Sequence, residues 1–203
     1  VDFTGNIVEN LLLSGNLSVT SDSAIALGNL TADAVLTLSS NKDVSSAELT
    51  LSDSADLSLG TANITFRVTN PATVDNTQKL KNGGGSFEFV GGITLKPGSE
   101  LVGQGQTISG NVSLNGGKLS IAQDTIFADN LAISAGSTIN IDALKTLTYD
   151  GATVGIGAAV LKIQGGGTFI NTESTELKLN SANSNLVLDN VTVAYVSVSA
   201  ASN

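Results

Sequence analysis

The sequence predicts an all-β chain wound as one single-stranded β-solenoid over residues 1–203, in the form of a right-handed parallel β-helix. Three observations carry this. Between Glu100 and Asp150, the apolar residues Leu101, Ile108, Leu114, Ile121, Phe127, Ile133, Ile141 and Leu147 follow at steps of 7, 6, 7, 6, 6, 8 and 6 residues. Each step holds a short apolar–polar alternation, as in Val112-Ser113-Leu114, Leu119-Ser120-Ile121 and Ile139-Asn140-Ile141, the pattern of a half-buried strand. The chain also has 22 Gly, only 2 Pro and no Cys, Met or Trp, which suits many tight turns joined to uniform aliphatic rows.

The steps decide between architectures. Hairpin sandwiches space their turn signals by roughly 8 to 12 residues, so six- to eight-residue steps are too tight for a meander. Three of them fill about twenty residues, one coil of three short strands, each pairing with the coil above and below. At about 4.8 Å per coil, roughly ten coils would make a rod on the order of 45 to 50 Å long. The absence of a strict hexapeptide favours the right-handed form over the left-handed one. A two-sheet all-β fold is the competing architecture. Aromatics supply only 4% of the chain, so the core is expected to consist of Leu, Ile, Val and Ala.

The same alternation recurs at Leu49 and Leu51, Leu57 and Leu59, Leu177 and Leu179, and Val191 and Val193. Strand entries are marked by Gly15-Asn16, Gly28-Asn29, Gly110-Asn111, Asp129-Asn130 and Asp189-Asn190. Gly, Asn and Asp tolerate the left-handed backbone of a corner, and an Asn amide can bond an Asn stacked above it. These pairs are unevenly spaced, so coil length must vary. Residues 70–85, with Pro71, Lys79, Lys81 and Gly83-Gly84-Gly85, lack alternation and are expected to project as a loop. The Gly- and Ala-rich stretch 151–159 is expected to form a narrow or loosely packed coil. Val191 to Ser199 reads as an alternating strand able to pair with another subunit.

Charge and composition narrow the function. Eighteen acids against 9 bases give −9, which disfavours nucleic acid and anionic membrane surfaces. No run approaches the roughly 18 to 20 apolar residues of a membrane helix. Val1 does not open a signal peptide, so a mature or excised segment is expected. His is absent and Arg67 is the single Arg, which removes imidazole acid–base chemistry and leaves one guanidinium. Lacking Cys, the chain has neither disulfides nor thiolate metal sites.

The segments Gly110-Asn111-Val112-Ser113-Leu114-Asn115-Gly116-Gly117-Lys118-Leu119-Ser120-Ile121, Ser134-Ala135-Gly136-Ser137-Thr138-Ile139-Asn140-Ile141 and Leu95-Lys96-Pro97-Gly98-Ser99-Glu100-Leu101 resemble the β-helix passengers of bacterial autotransporters and filamentous adhesins. The resemblance lies in grammar over most of the chain, and no motif belongs to one family alone. It implies a secreted or cell-surface solenoid serving adhesion, self-association or display. The sequence contains no terminal translocator barrel.

A carbohydrate-active β-helix, a polysaccharide lyase or glycoside hydrolase, would need paired carboxyls on one cleft. Asp142 with Asp150, or Asp53 with Asp56, are the candidates, and all four read more simply as solvated turn acids. Arg67 reads as a surface strand residue beside Asn63 and Thr65. Neither Gly83-Gly84-Gly85 nor Gly165-Gly166-Gly167 carries the Asp of a calcium β-roll or the Lys of a phosphate loop. The sequons at Asn16, Asn29, Asn63, Asn111 and Asn190 follow from Asn corners entering alternating strands. Thr31, Thr37, Thr65, Thr107, Thr125, Thr138 and Thr168 are too scattered for a flat ice-binding row. The expectation is therefore a non-enzymatic structural or adhesive solenoid with no catalytic, metal or cofactor site. Its expected partners are other copies, through head-to-tail or edge-strand association, or a host or cell-surface ligand; a phage or virus fibre module is a further alternative.

Overall fold

The computed structural model describes residues 8–61, 63–151 and 153–200, with no side-chain description at 8 and 173–175. Among the described residues there are 22 strands and no helix, and every strand pairing is parallel. The strands form a 13-stranded and a 9-stranded sheet. Parallel strands need a crossover, and here the other sheet supplies it, so the chain is a β-solenoid of about nine turns. That is fewer than ten, and the stack of coils is about 40 Å long at the usual strand spacing.

Each coil contains three segments. The first and second belong to the larger sheet, and the third belongs to the smaller. One coil has Thr125–Phe127, Leu131–Ala135 and Ser137–Ile141; in the coil before it, the first two segments fuse into the bent strand Thr107–Asn115, which pairs with both. The six- to eight-residue steps are these segments. Leu101, Ile121 and Ile141 lie in the smaller sheet, Ile108, Phe127 and Leu147 in first segments, and Leu114 and Ile133 in second segments. All eight are buried. Coil length does vary: Leu101 pairs with Leu119, 18 residues on, whereas Ile163 pairs with Leu188, 25 residues on.

The core departs from the aliphatic expectation. Tyr149, Phe66, Phe87, Phe89, Phe127 and Phe169 are the largest fully buried side chains, and all sit in first segments. Phe66 and Phe87 pair in register with ring centroids 6.1 Å apart, Phe87 lies 5.4 Å from Phe89, and Phe127 and Tyr149 pair at 5.8 Å. Aromatics are few in the chain but concentrated on one wall, where each ring buries more apolar area than a Leu could. Burial pushes the Tyr149 phenol up to about 12, and its oxygen lies 2.9 and 2.8 Å from the Asp129 and Thr153 carbonyls.

Residues 70–85 are not a projecting loop. Ala72–Val74 pairs with Ile93–Leu95, and Lys79–Lys81 pairs on one side with Asp56–Ser58 and on the other with Glu100–Val102. The alternation was hidden because polar residues fill inward positions. Gln78 is buried, donating to the Leu51 carbonyl at 2.6 Å and accepting from the Asp75 amide at 2.7 Å. Asn82 is fully buried and accepts from the Gln104 amide at 2.6 Å. Each satisfies a backbone group where the chain turns. Nor is 151–159 a loose coil: Val154 and Ile156 are fully buried and in register with Leu131 and Ile133 on one side and with Leu177 and Leu179 on the other.

The Gly-Asn and Asp-Asn pairs mark corners of three kinds, which explains their uneven spacing. Gly28-Asn29, Gly110-Asn111 and Asp129-Asn130 lie at the bend between first and second segments, Gly15-Asn16 precedes a third segment, and Asp189-Asn190 follows one. The Asn amides stack as expected at one bend, with Asn130 Nδ2 donating to Asn111 Oδ1 at 2.9 Å.

Candidate functional site

The carboxylates proposed as pairs are each engaged locally. Asp142 accepts from Asn140 at 2.9 Å in the turn after a third segment, whereas Asp150 accepts from Thr172 at 2.6 Å at the end of a first segment. Asp53 accepts from Asn76 at 3.2 Å, and Asp56 is ion-paired with Lys81 at 2.7 Å. Arg67 is exposed in the strand Thr65–Val68, its Nε 2.8 Å from Glu88 Oε2. The seven Thr fall on all three segments of the coil, and Thr125 is buried. The Gly runs spend amides on neighbouring coils, Gly84 on Gly60 O at 2.9 Å and Gly167 on Ile141 O at 3.1 Å. Four of the sequon Asn side chains are exposed and Asn29 is half-buried.

The outer face of the smaller sheet carries an ordered feature that the sequence reading missed. Asp56, Lys79, Glu100 and Lys118 occupy one register row, alternating in sign. Lys79 Nζ and Lys118 Nζ lie 3.1 and 3.2 Å from Glu100, and Ser120 Oγ donates to it at 2.5 Å. Further along, Lys162 pairs with Asp189 at 2.8 Å. Four of the nine basic residues, Lys79, Lys81, Lys118 and Lys162, thus lie on this one face. The signal available in the sequence was the recurrence of opposite charges about one coil apart.

Partial burial works against the Glu100 charge, yet the Ser120 hydroxyl and the two ammonium groups outweigh it and hold the carboxyl down from 4.5 to about 2. A depressed folded value means these contacts stabilise fully above the unfolded value and are lost as pH falls through the folded one. Glu100→Gln is therefore expected to flatten the acid limb of stability between about pH 4.5 and 2, measured as urea midpoints across a pH series. An unchanged acid limb would remove Glu100 from the account.

Two grooves run beside the first segments. One of about 390 Å³ is lined by Asp43, Thr65, Arg67 and Glu88 among others; one of about 360 Å³ lies at the bend and includes Glu88, Ser109, Asn111, Asp129 and Asn130. Among the described residues, no group of three or more His, Cys, Asp or Glu is placed to hold a metal ion.

The ends of the stack differ. At the C-terminal end, the strand Thr192–Ala200 pairs only with Thr168–Leu179 and Asn185–Asp189 pairs only with Val160–Gln164, leaving their other edges without a strand partner among the described residues. Core rows finish here in Leu188, 49% exposed, and Val198, 57% exposed. At the N-terminal end, Leu13 and Val19 are each only 4% exposed. The C-terminal strand has no charged residue and no Pro, two of the devices that protect a free edge, while its pairing shifts register around Tyr195, which has φ +56.

These features define the chain as a parallel β-solenoid. No protein-family model, curated protein or solved structure matches it.

Proposed function

We propose that the chain is an extracellular structural or adhesive solenoid, akin to the passengers of autotransporters and filamentous adhesins, that associates with further copies through its terminal strands. The observation that carries this reading is the uncharged edge Thr192–Ala200, with Leu188 and Val198 exposed at the ends of core rows. An unpaired row of backbone donors and acceptors beside exposed apolar side chains is a template for another strand. The long ladders supply stiffness, and the Ser- and Thr-rich outer faces are suited to contact in a secreted or surface-displayed protein. No step of bond chemistry is assigned to it.

The expected result is concentration-dependent assembly of the purified chain, seen as rising mass by light scattering and as rods or fibres of constant width by electron microscopy. A chain that stays monomeric up to high concentration, whether or not Val191–Ser199 is replaced by a charged sequence, would rule self-association out and leave monomeric display. A carbohydrate-active solenoid is the second reading, favoured by Glu88 and Asp129 lining one groove. It requires polysaccharide turnover that is abolished by Glu88→Gln or Asp129→Asn.

A further inference from the structure

We infer that two copies dock face to face through the outer surface of the smaller sheet, antiparallel along the coil axis, as a weak and salt-sensitive dimer. The joint does not involve the terminal strands. On that surface one row runs Val35, Asp56, Lys79, Glu100, Lys118, Thr138, one residue per coil. Beside it, Lys81 stands in the coil of Lys79 and Val102 in the coil of Glu100. The face as a whole carries Lys79, Lys81, Lys118 and Lys162 against Asp56, Glu100 and Asp189. The remaining fifteen of the 18 acids share the rest of the chain with the remaining five of the 9 bases. Like charge therefore opposes the approach of two copies over the rest of the surface, but not here. Lys79 and Lys118 already contact Glu100 within the chain, yet their side chains are 40% and 44% exposed. Each ammonium has three donors, enough for a second carboxylate.

The order of charges selects one symmetry. A two-fold axis parallel to the strands, passing between Lys79 and Glu100, reverses the order of the coils and keeps each row against itself. It sets Lys79 opposite Glu100 of the second copy, Asp56 opposite Lys118, and Val35 opposite Thr138, each twice, as an isologous joint requires. In the second row Lys81 then meets Val102 and Ser58 meets Ser120, so no like charges face each other. A two-fold axis along the coils would exchange the rows within each coil and set Lys79 against Lys81, which costs affinity. The six coils span about 24 Å and their strands about 17 Å. That buries roughly 1,000 Å² over both copies, the bottom of the range for specific contacts, so a dissociation constant in the micromolar range or weaker is expected.

Cross-linking tests the register without touching the charges. Val35 is 71% exposed and Thr138 lies on the outer face. The two are five register steps apart, about 24 Å, too far for a disulfide within one chain. The double variant Val35→Cys with Thr138→Cys is expected to give covalent dimers on oxidation, whereas either single variant, or Val35→Cys with Lys162→Cys one coil out of register, should not. Raising salt from about 0.05 to 0.5 M is expected to slow this about tenfold. A charge swap reads the same joint by light scattering. Lys79→Glu and Glu100→Lys chains should each fail to dimerise alone and dimerise when mixed, because mixing restores opposite charges at both contacts. Thermal melts of each variant separate folding from docking. Replacing Val191–Ser199 by a charged sequence should leave the cross-link intact, which separates this joint from assembly through the terminal strands. Fibres without the cross-link would mean that the face joint is wrong while terminal assembly stands. Cross-links formed equally by the single or out-of-register variants would also overturn it.

Discussion

Replacing Phe87 with Ala is expected to destabilise the folded chain by about 3–5 kcal/mol, the range for deleting a fully buried aromatic ring. Phe87 is fully buried, 6.1 Å from the Phe66 ring and 5.4 Å from the Phe89 ring, and its register partner in the following coil is Ile108. Its neighbours are fixed by backbone ladders on both sides, so the coils cannot collapse into the space. The loss should therefore sit in the upper part of that range. Ile126→Ala, two coils further on but pointing outward and 47% exposed, is the matched control and should cost within about 0.5 kcal/mol. Urea unfolding of both variants gives the comparison. Equal effects at the two positions would mean that the aromatic wall is not the packed centre of the first segments.

Gly110→Val is expected to have a comparable or larger effect for a different reason. Gly110 sits at the bend of Thr107–Asn115 with φ +99, a conformation that a β-branched residue adopts only under strain. A Cβ there would also fall inside 3 Å of the Phe89 carbonyl of the preceding coil. The bend cannot relax away, because the Gly110 amide donates to Asp129 Oδ2 at 2.9 Å and the flanking halves pair with different segments of the next coil. Backbone strain and the clash together should cost more than about 4 kcal/mol and prevent stable folding. Gly136→Ala, whose nearest neighbour for a Cβ is the Val160 carbonyl at 4.0 Å, should stay within about 0.5 kcal/mol. Soluble yield and the unfolding midpoint report both. If Gly110→Val unfolds at the wild-type midpoint, the bend geometry is wrong.

The architecture was legible because a solenoid writes its coil into the sequence as steps. From Leu101 to Leu147 every third apolar residue returns to the same wall, and local alternation gives the facing of each strand. Parts that failed to read were those where a wall is built from something other than an aliphatic residue. Gln78 and Asn82 face inward to satisfy turning backbone, so 70–85 lost its alternation and read as a loop. The Phe and Tyr ladder is invisible in a 4% aromatic content, although Phe66, Phe87, Phe127, Tyr149 and Phe169 recur at one or two coil lengths. The charged row on the smaller sheet was missed similarly. Asp56, Lys79, Glu100 and Lys118 are distant in sequence and become neighbours only once the coil length is known, and that length changes from 18 to 25 residues along the chain. Of the acids singled out for chemistry, Asp53, Asp142 and Asp150 are exposed in turns or at segment ends, whereas Asp56 is a half-buried strand residue paired with Lys81, a departure from the reading of all four as solvated turn acids.

Distances between paired spin labels test the central claim, that sequence-remote residues are stacked coil upon coil, most directly. The chain has no Cys, so pairs can be introduced without background. Thr37 and Gln164 are six register steps apart on the smaller sheet, Ser58 and Gln164 five, and Thr94 and Lys178 four on the larger sheet. Backbone separations of about 29, 24 and 19 Å are expected, one strand spacing per step. A distance that grows by that constant increment with the number of coils is the predicted result. Distances that do not follow the step count would contradict the solenoid and return the chain to a two-sheet fold.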